Sequence, residues 1–200
     1  MPNDEEESKI VVNRKKNLIY FNAPIEEKYT LELIDYLNEL EQAEIDRVHQ
    51  FVHDMKKINN IVLDESSYIN PIQLEINSYG GLIHEAFAVA DTIKNLKIPV
   101  YTVCKGFVAS SATIISLSGT RRYITKNCYF LIHQLSDEYN GNYTFLKHSF
   151  ENSKQVMNHI VDYYVEHSNL DRETILKLIH DDIHWNAAKT LEYGFVDEII

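Results

Sequence analysis

Residues 71–81 read PIQLEINSYGG, and the fold turns on this stretch. Ile72, Leu74 and Ile76 alternate with Gln73 and Glu75, the two-residue period of a strand, and the run breaks at Asn77-Ser78-Tyr79-Gly80-Gly81. Beyond the glycines, Ile83, Phe87, Ala90, Ile93 and Leu96 recur every three or four residues. That spacing predicts an amphipathic helix from Leu82 to Lys97, ending ahead of Pro99. Strand, tight turn and helix make up most of a parallel βαβ unit.

The same rhythm continues in both directions. Downstream, Val100–Cys104 predicts a strand running into Gly106, followed by an apolar helical stretch from Ser110 to Gly119 and a strand at Tyr129–Ile132. A long helix is expected over Tyr143–His167, with Phe150, Met157, Ile160, Val161 and Tyr164 on its apolar face. Two short helices follow, Asp171–His180 and Asn186–Tyr193, the second closed by Gly194. Upstream, Asn17–Phe21 reads as a strand, and Leu31, Leu33, Ile34, Leu37 and Leu40 as a helix after Pro24. From Glu41 to Asn70 the pattern loosens into a helix carrying Val48, Phe51, Val52 and Met55, and then a loop. Strands alternating with helices imply an α/β fold with a parallel sheet and right-handed crossovers, whose reactive groups gather at the carboxyl ends of strands. Three points then fall together: the Gly80-Gly81 turn, the turn from Gly106 to Ser110, and His133 at the end of its strand.

Composition narrows the function. The chain has 200 residues, 44% hydrophobic and 24% charged, within the range of one globular domain. Nineteen Lys and Arg against 30 Asp and Glu leave a net charge of −11, and the basic pairs Lys15-Lys16 and Arg121-Arg122 are too short for a nucleic-acid footprint. The opening MPNDEEES lacks the basic and apolar regions of a signal peptide, and residues 1–12 read as a mobile acidic tail. The longest uncharged run, Gly106 to Thr120, is rich in hydroxyls and shorter than the roughly 17–25 residues of a membrane helix. Cys104 and Cys128 sit in apolar stretches, as buried thiols of a reducing compartment do.

Each candidate for chemistry carries two readings. Gly80-Gly81 is a tight turn or, because glycine frees the backbone to point N–H groups outward, an oxyanion site; no phosphate-loop or Walker pattern follows it. Ser110 is a helix N-cap or a nucleophile favoured by the free N–H of the next residue. It is not a G-x-S-x-G elbow, since residue 112 is alanine. His133 is a polar strand end or a general base. Asp181-Asp182 is a solvated loop or the carboxylate that orients an imidazole. His180, Asp181, Asp182 and His184 cluster without any metal-binding frame, so neither a metal nor another cofactor is expected.

Four blocks together, Ile76 to Gly81, Gly106 to Ser111, Leu131-Ile132-His133-Gln134, and Glu192 to Asp197, resemble the proteolytic subunits of the Clp protease, the ClpP family. The resemblance spans roughly residues 13–200 as a single peptidase domain and is most convincing from Ile72 onward. It implies an α/β fold of the ClpP/crotonase type, a superhelix of repeated ββα units with a protruding handle helix at Tyr143–His167. It also implies a serine endopeptidase with Ser110 as nucleophile, His133 as base and Asp182 as triad acid, Asp181 being the adjacent alternative. Gly80 and the backbone N–H of Ser111 would form the oxyanion hole. Arg122 matches a family arginine and receives no catalytic role.

The sequence departs from the family pattern at Tyr79 and Leu135, where proline is usual, and at Ser111, where methionine is usual. The segment 41–70 reads as an insertion. The resemblance further implies peptide or protein substrates, self-association into heptameric rings, an AAA+ unfoldase as partner, and a cytoplasmic location. Two other classes share the fold family: acyl-CoA enzymes of the crotonase type, which need no such triad, and non-catalytic ring scaffolds.

Overall fold

Eight strands and six helices alternate along residues 10–59 and 63–200, the part of the chain that the computed structural model describes. Ile10–Asn13 (β1) and Leu18–Phe21 (β2) form an antiparallel hairpin, and Glu27–Asn59 (α1) follows. Ile72–Ser78 (β3), Ile83–Asn95 (α2), Val100–Ala109 (β4) and Ala112–Leu117 (α3) build the centre. Arg121–Ile124 (β5), Tyr129–Leu131 (β6) and the long helix Tyr143–Glu166 (α4) come next. Arg172–Leu178 (α5), Trp185–Asn186 (β7), Ala187–Glu192 (α6) and Glu198–Ile199 (β8) close the order.

The sheet runs β1-β2-β3-β4-β5-β8, parallel from β2 onward, so the expected parallel α/β arrangement is present. Ile72, Leu74 and Ile76 of β3 are fully buried and share one core with Leu33 and Leu37 of α1 and Val89 of α2. On the other face of β3, Gln73 is partly buried and Asn77 is exposed. Between them Glu75 is buried and pairs with Lys105 of β4 at 2.6 Å, so that the buried carboxylate has a charged partner.

β4 forks. Residues 101–104 pair with β5 and residues 107–109 with β6, which in turn carries β7 antiparallel. The fork falls at Gly106, whose φ of 62° suits glycine and whose Cα lies so close to Asn77 that a Cβ would sit 2.8 Å from Oδ1. The expected strand at Val100–Cys104 therefore continues five residues further, to Ala109, and the helix after it begins at Ala112 rather than Ser110. The extension brings Ser110 up against β6, and with it the residues just before His133.

Several boundaries differ from the sequence reading. Residues 10–12, assigned to an acidic tail, lie in β1, where Ile10 is buried against β2; residues 1–9 lie outside the described residues. The 41–59 part of the 41–70 segment is no separate helix but the continuation of α1, whose buried stripe of Tyr29, Leu33, Leu37, Leu40, Glu44 and Val48 ends there. Past Val48 the helix runs beyond the sheet, with Phe51 packing on Tyr68 at 5.0 Å; residues 60–62 lie outside the described residues. Leu31 and Phe150, placed on apolar faces by spacing, are exposed at 54% and 67%. α4 buries Ile160, Val161, Tyr163 and Tyr164 near its carboxyl end and leaves its first turns uncovered. Among the described residues no helix is long and apolar enough to cross a membrane.

Candidate active site

Ser110 occupies the turn between β4 and α3 with φ 56°, a left-handed conformation that costs a non-glycine residue about 1–2 kcal/mol. The surroundings hold it there. Its N–H donates to Leu131 O of β6 at 2.9 Å, and its carbonyl accepts the Thr113 N–H at 3.0 Å and the Thr113 hydroxyl at 2.6 Å. Because the Thr113 proton points at Ser110 O, the Tyr164 hydroxyl, 2.8 Å from Thr113 Oγ1, is the donor to it. Tyr164 is fully buried, which pushes its pKa up to about 12 and keeps that proton in place. A chain of two hydrogen bonds, Tyr164 to Thr113 and Thr113 to Ser110 O, thus ties the Ser110 turn to α4.

The Gly80-Gly81 turn lies directly against this serine. With φ 93° at Gly80, a Cβ would stand 2.6 Å from Ser110 Cβ and 2.7 Å from Ala109 O, so only glycine permits the approach. Ile25 clamps the turn by donating to Gly80 O at 2.9 Å and accepting from Leu82 N–H at 2.8 Å. The Gly80 N–H, expected from the sequence to face an oxyanion, is instead donated to Ser78 Oγ at 3.2 Å. The neighbouring Gly81 N–H and the Ser111 N–H meet no acceptor among the described residues.

Gly81, Leu82, Ser110, Ser111, His133 and Leu135 line one cleft of about 300 Å³. Of the two adjacent serines, Ser110 is half-exposed in it, whereas Ser111 is 3% exposed. His133 follows β6 and is half-buried; the next residue, Gln134, donates its N–H to Ile179 O at 3.1 Å, bringing the end of α5 alongside. Asp182, three residues past Ile179, is exposed on the α5–β7 loop with φ 44°. The structure therefore gathers Ser110, His133, Ser111 and Gly81, and leaves Asp182 outside the cleft. Among the described residues no side-chain hydrogen bond joins Ser110, His133 and Asp182. Asp181 lines a separate surface cavity with Ile183 and Trp185. His180, Asp181, Asp182 and His184 do not converge; among the described residues no three His, Cys, Asp or Glu side chains are placed to share a metal ion.

Residues 35–200, more than three quarters of the chain, match the family model of the Clp protease. The chain belongs to the Clp protease family. A proteolytic subunit 1 of the ATP-dependent Clp protease from Chlamydia muridarum is 31% identical over 209 residues, covering 100% of this chain and 97% of that protein. The corresponding subunit of Deinococcus radiodurans is 29% identical over 142 residues, 70% of each chain. Among solved structures, a mutant of ClpP1 from Listeria monocytogenes superposes with a TM-score of 0.75 at 21% identity, covering 94% of this chain and 92% of that one. The fold is thus of the ClpP/crotonase type, and the chain is a Clp-type serine peptidase.

The departures of this Clp family member now have surroundings. Tyr79 is 80% exposed and rests its ring on Phe107 at 5.0 Å, while the clamp on Ile25 holds the glycines in place of a rigid proline. Leu135 donates its backbone N–H to Met157 Sδ of α4 at 3.2 Å, a bond a proline could not make. Arg122 is structural: it pairs with Asp197 at 2.5 Å and donates to His167 O at 2.6 Å, tying β5 to the carboxyl ends of the chain and of α4. Thr113, Tyr164 and Ser78 were not anticipated as parts of the site. Thr113 could have been, since a hydroxyl in the first turn of a helix reaches back to the carbonyl three residues before it. Tyr164 stands 51 residues from Thr113, and nothing local in the sequence announces that contact.

Proposed function

We propose that this chain is a Ser-His-Asp endopeptidase whose nucleophile is Ser110. The observation that carries the reading is the placement of Ser110, strained, half-exposed and braced from three sides, in the cleft that also holds His133 and two unengaged backbone N–H groups. His133 removes the Ser110 proton, and Oγ attacks the substrate carbonyl. The oxyanion is held by the N–H groups of Ser111 and Gly81, Gly80 N–H being engaged with Ser78. His133 then protonates the leaving amine, and water, deprotonated by the same imidazole, releases the acyl group.

Asp182 is the acid that orients His133. The Gln134–Ile179 hydrogen bond supports it by keeping the start of its loop next to the histidine, and closing the triad requires that loop to turn its carboxylate inward. An acyl-CoA enzyme would need the oxyanion donors but no serine poised among them.

Assembly and location belong to the same proposal. The exposed Tyr143, Phe145, Leu146 and Phe150 of α4 support association through this handle, and the substrate chamber is the interior of stacked heptameric rings. An AAA+ unfoldase feeds it with protein chains; ATP is used by that partner. Two buried, unpaired cysteines support a cytoplasmic setting.

Labelling with a fluorophosphonate, followed by peptide mapping, tests the chemistry. Modification of Ser110 that disappears in Ser110→Ala is expected. Labelling that persists unchanged in that variant overturns the assignment. Asp182→Asn should lower kcat by about 10⁴-fold while Asp181→Asn has little effect, and the reverse result would move the acid to Asp181.

A further inference from the structure

We infer that the Ser111 hydroxyl is a third donor to the oxyanion, acting beside the backbone N–H groups. The inference rests on Ser110 being the nucleophile and concerns a side chain with no counterpart in the family's usual methionine. Its origin is one atom: among the described residues, Ser111 Oγ is the buried side-chain oxygen or nitrogen that has no hydrogen-bond partner. A hydroxyl cut off from both water and protein is a net cost to the fold, which alanine at the same place would avoid.

The neighbouring hydroxyls show that the segment satisfies such groups wherever it can. Thr113 donates to Ser110 O at 2.6 Å, Ser116 to Thr113 O at 2.9 Å and Ser118 to Ile115 O at 2.7 Å, each reaching the carbonyl three residues back. For Ser111 the residue three back is Val108, inside β4, whose carbonyl belongs to the sheet. Among the described residues Ser111 therefore carries the buried hydroxyl of this turn that is left without a local outlet, and it lines the cleft that holds Ser110 and His133.

Side-chain rotation supplies the link to chemistry. A serine side chain has three staggered positions, and two of them bring Oγ next to the residue's own N–H. The Ser111 N–H meets no acceptor among the described residues, so an oxygen that accepts it also lies within reach of the hydroxyl in either of those positions. Such a donor strengthens as negative charge develops on the substrate oxygen, and so acts on turnover rather than on ground-state binding.

The test compares wild type, Ser110→Ala and Ser111→Ala in the full chain. The substrates are fluorogenic peptides with apolar and with polar residues before the scissile bond, and the probe is a peptide boronate that forms a tetrahedral anion on the nucleophile. Ser111→Ala should keep or raise the melting temperature and lower kcat by about 10²-fold on every peptide with KM nearly unchanged. It should weaken boronate binding by a similar factor. Wild-type turnover in Ser111→Ala, a loss confined to one class of peptide, or a clearly lower melting temperature would each overturn the inference. Activity surviving in Ser110→Ala would instead overturn the nucleophile, so the two failures are distinguishable.

Discussion

Replacing Gly80 with alanine is the sharpest single perturbation of the proposed site. The new methyl would start 2.6 Å from Ser110 Cβ, 2.7 Å from Ala109 O and 3.1 Å from Ser111 N, and the backbone there has φ 93°. Ordinary carbon contacts begin near 3.5–4.0 Å, so the Ser110 turn or the glycine turn must move by about 1 Å. Ile25 clamps the glycine turn and Leu131, Thr113 and Tyr164 clamp the serine turn, so the displacement falls between two braced elements rather than on a loose side chain. Left-handed strain at a residue with Cβ adds about 1–2 kcal/mol, a tolerable fraction of the roughly 5–15 kcal/mol that holds a domain together. At about 2 kcal/mol the melting temperature should fall by roughly 4–8 °C in a chain of this size. Activity should suffer more, since a misplacement of about 1 Å at a reacting centre costs about 10²-fold in rate. The assay pairs thermal denaturation with the rate of fluorophosphonate labelling at Ser110. A folded Gly80→Ala protein labelled at the wild-type rate would refute the reasoning, because the serine would then not depend on the glycine's close approach.

Thr113→Val removes the donor to Ser110 O and strands the buried Tyr164 hydroxyl, at a cost of about 1–3 kcal/mol; adding Tyr164→Phe should restore most of the stability but not the turnover, as a double-mutant cycle would show. Burial works against the Asp197 carboxylate, but the hydrogen bonds and charge of Arg122 outweigh it and hold its pKa below the usual value. Its stabilisation is then fully present above about pH 3.9, the unfolded value, and is lost as pH falls through the lower folded value. Arg122→Ala should therefore melt below wild type at neutral pH, with the gap closing under strong acid in a pH series of melting curves. Burial pushes the Cys128 thiol up to about 12 and that of Cys104 higher still, so iodoacetamide at pH 8 should modify neither in the native protein and both once it is unfolded. Rapid native-state alkylation at pH 8 would contradict the packing of β4 against the turn that carries Cys128.

What could be read from residues alone was whatever short-range periodicity and turn chemistry control. Ile72, Leu74 and Ile76 announced a buried strand, and Gly80-Gly81 a turn that glycine alone could make, because both depend on a few consecutive residues. The same locality explains the errors. Arg121–Ile124 carries no strand signal of its own, since four residues with two arginines are held in the sheet by β4 and β8 rather than by their own pattern. Helical spacing at Val48, Phe51, Val52 and Met55 marked a helix past residue 41, but nothing in the local pattern shows that it continues α1 without a break.

The resemblance of four sequence blocks to the ClpP family suggested a peptidase and implied Ser110, His133 and Asp182 as its triad. Only the tertiary structure decided how they stand to one another. It put the serine and histidine in one cleft through the pairing of β4 with β6, and left the aspartate on an exposed loop. It also engages the Gly80 N–H with Ser78, which is why the proposed oxyanion hole uses Gly81 instead. Tyr164 steadies a serine turn more than fifty residues away, and among the described residues the Ser111 hydroxyl is left unpaired, the carbonyl three residues back belonging to the sheet. A hydrogen bond has a reach of about 3 Å, while Ser110, His133 and Tyr164 lie tens of residues apart in sequence. Chain folding alone determines which of them come within it.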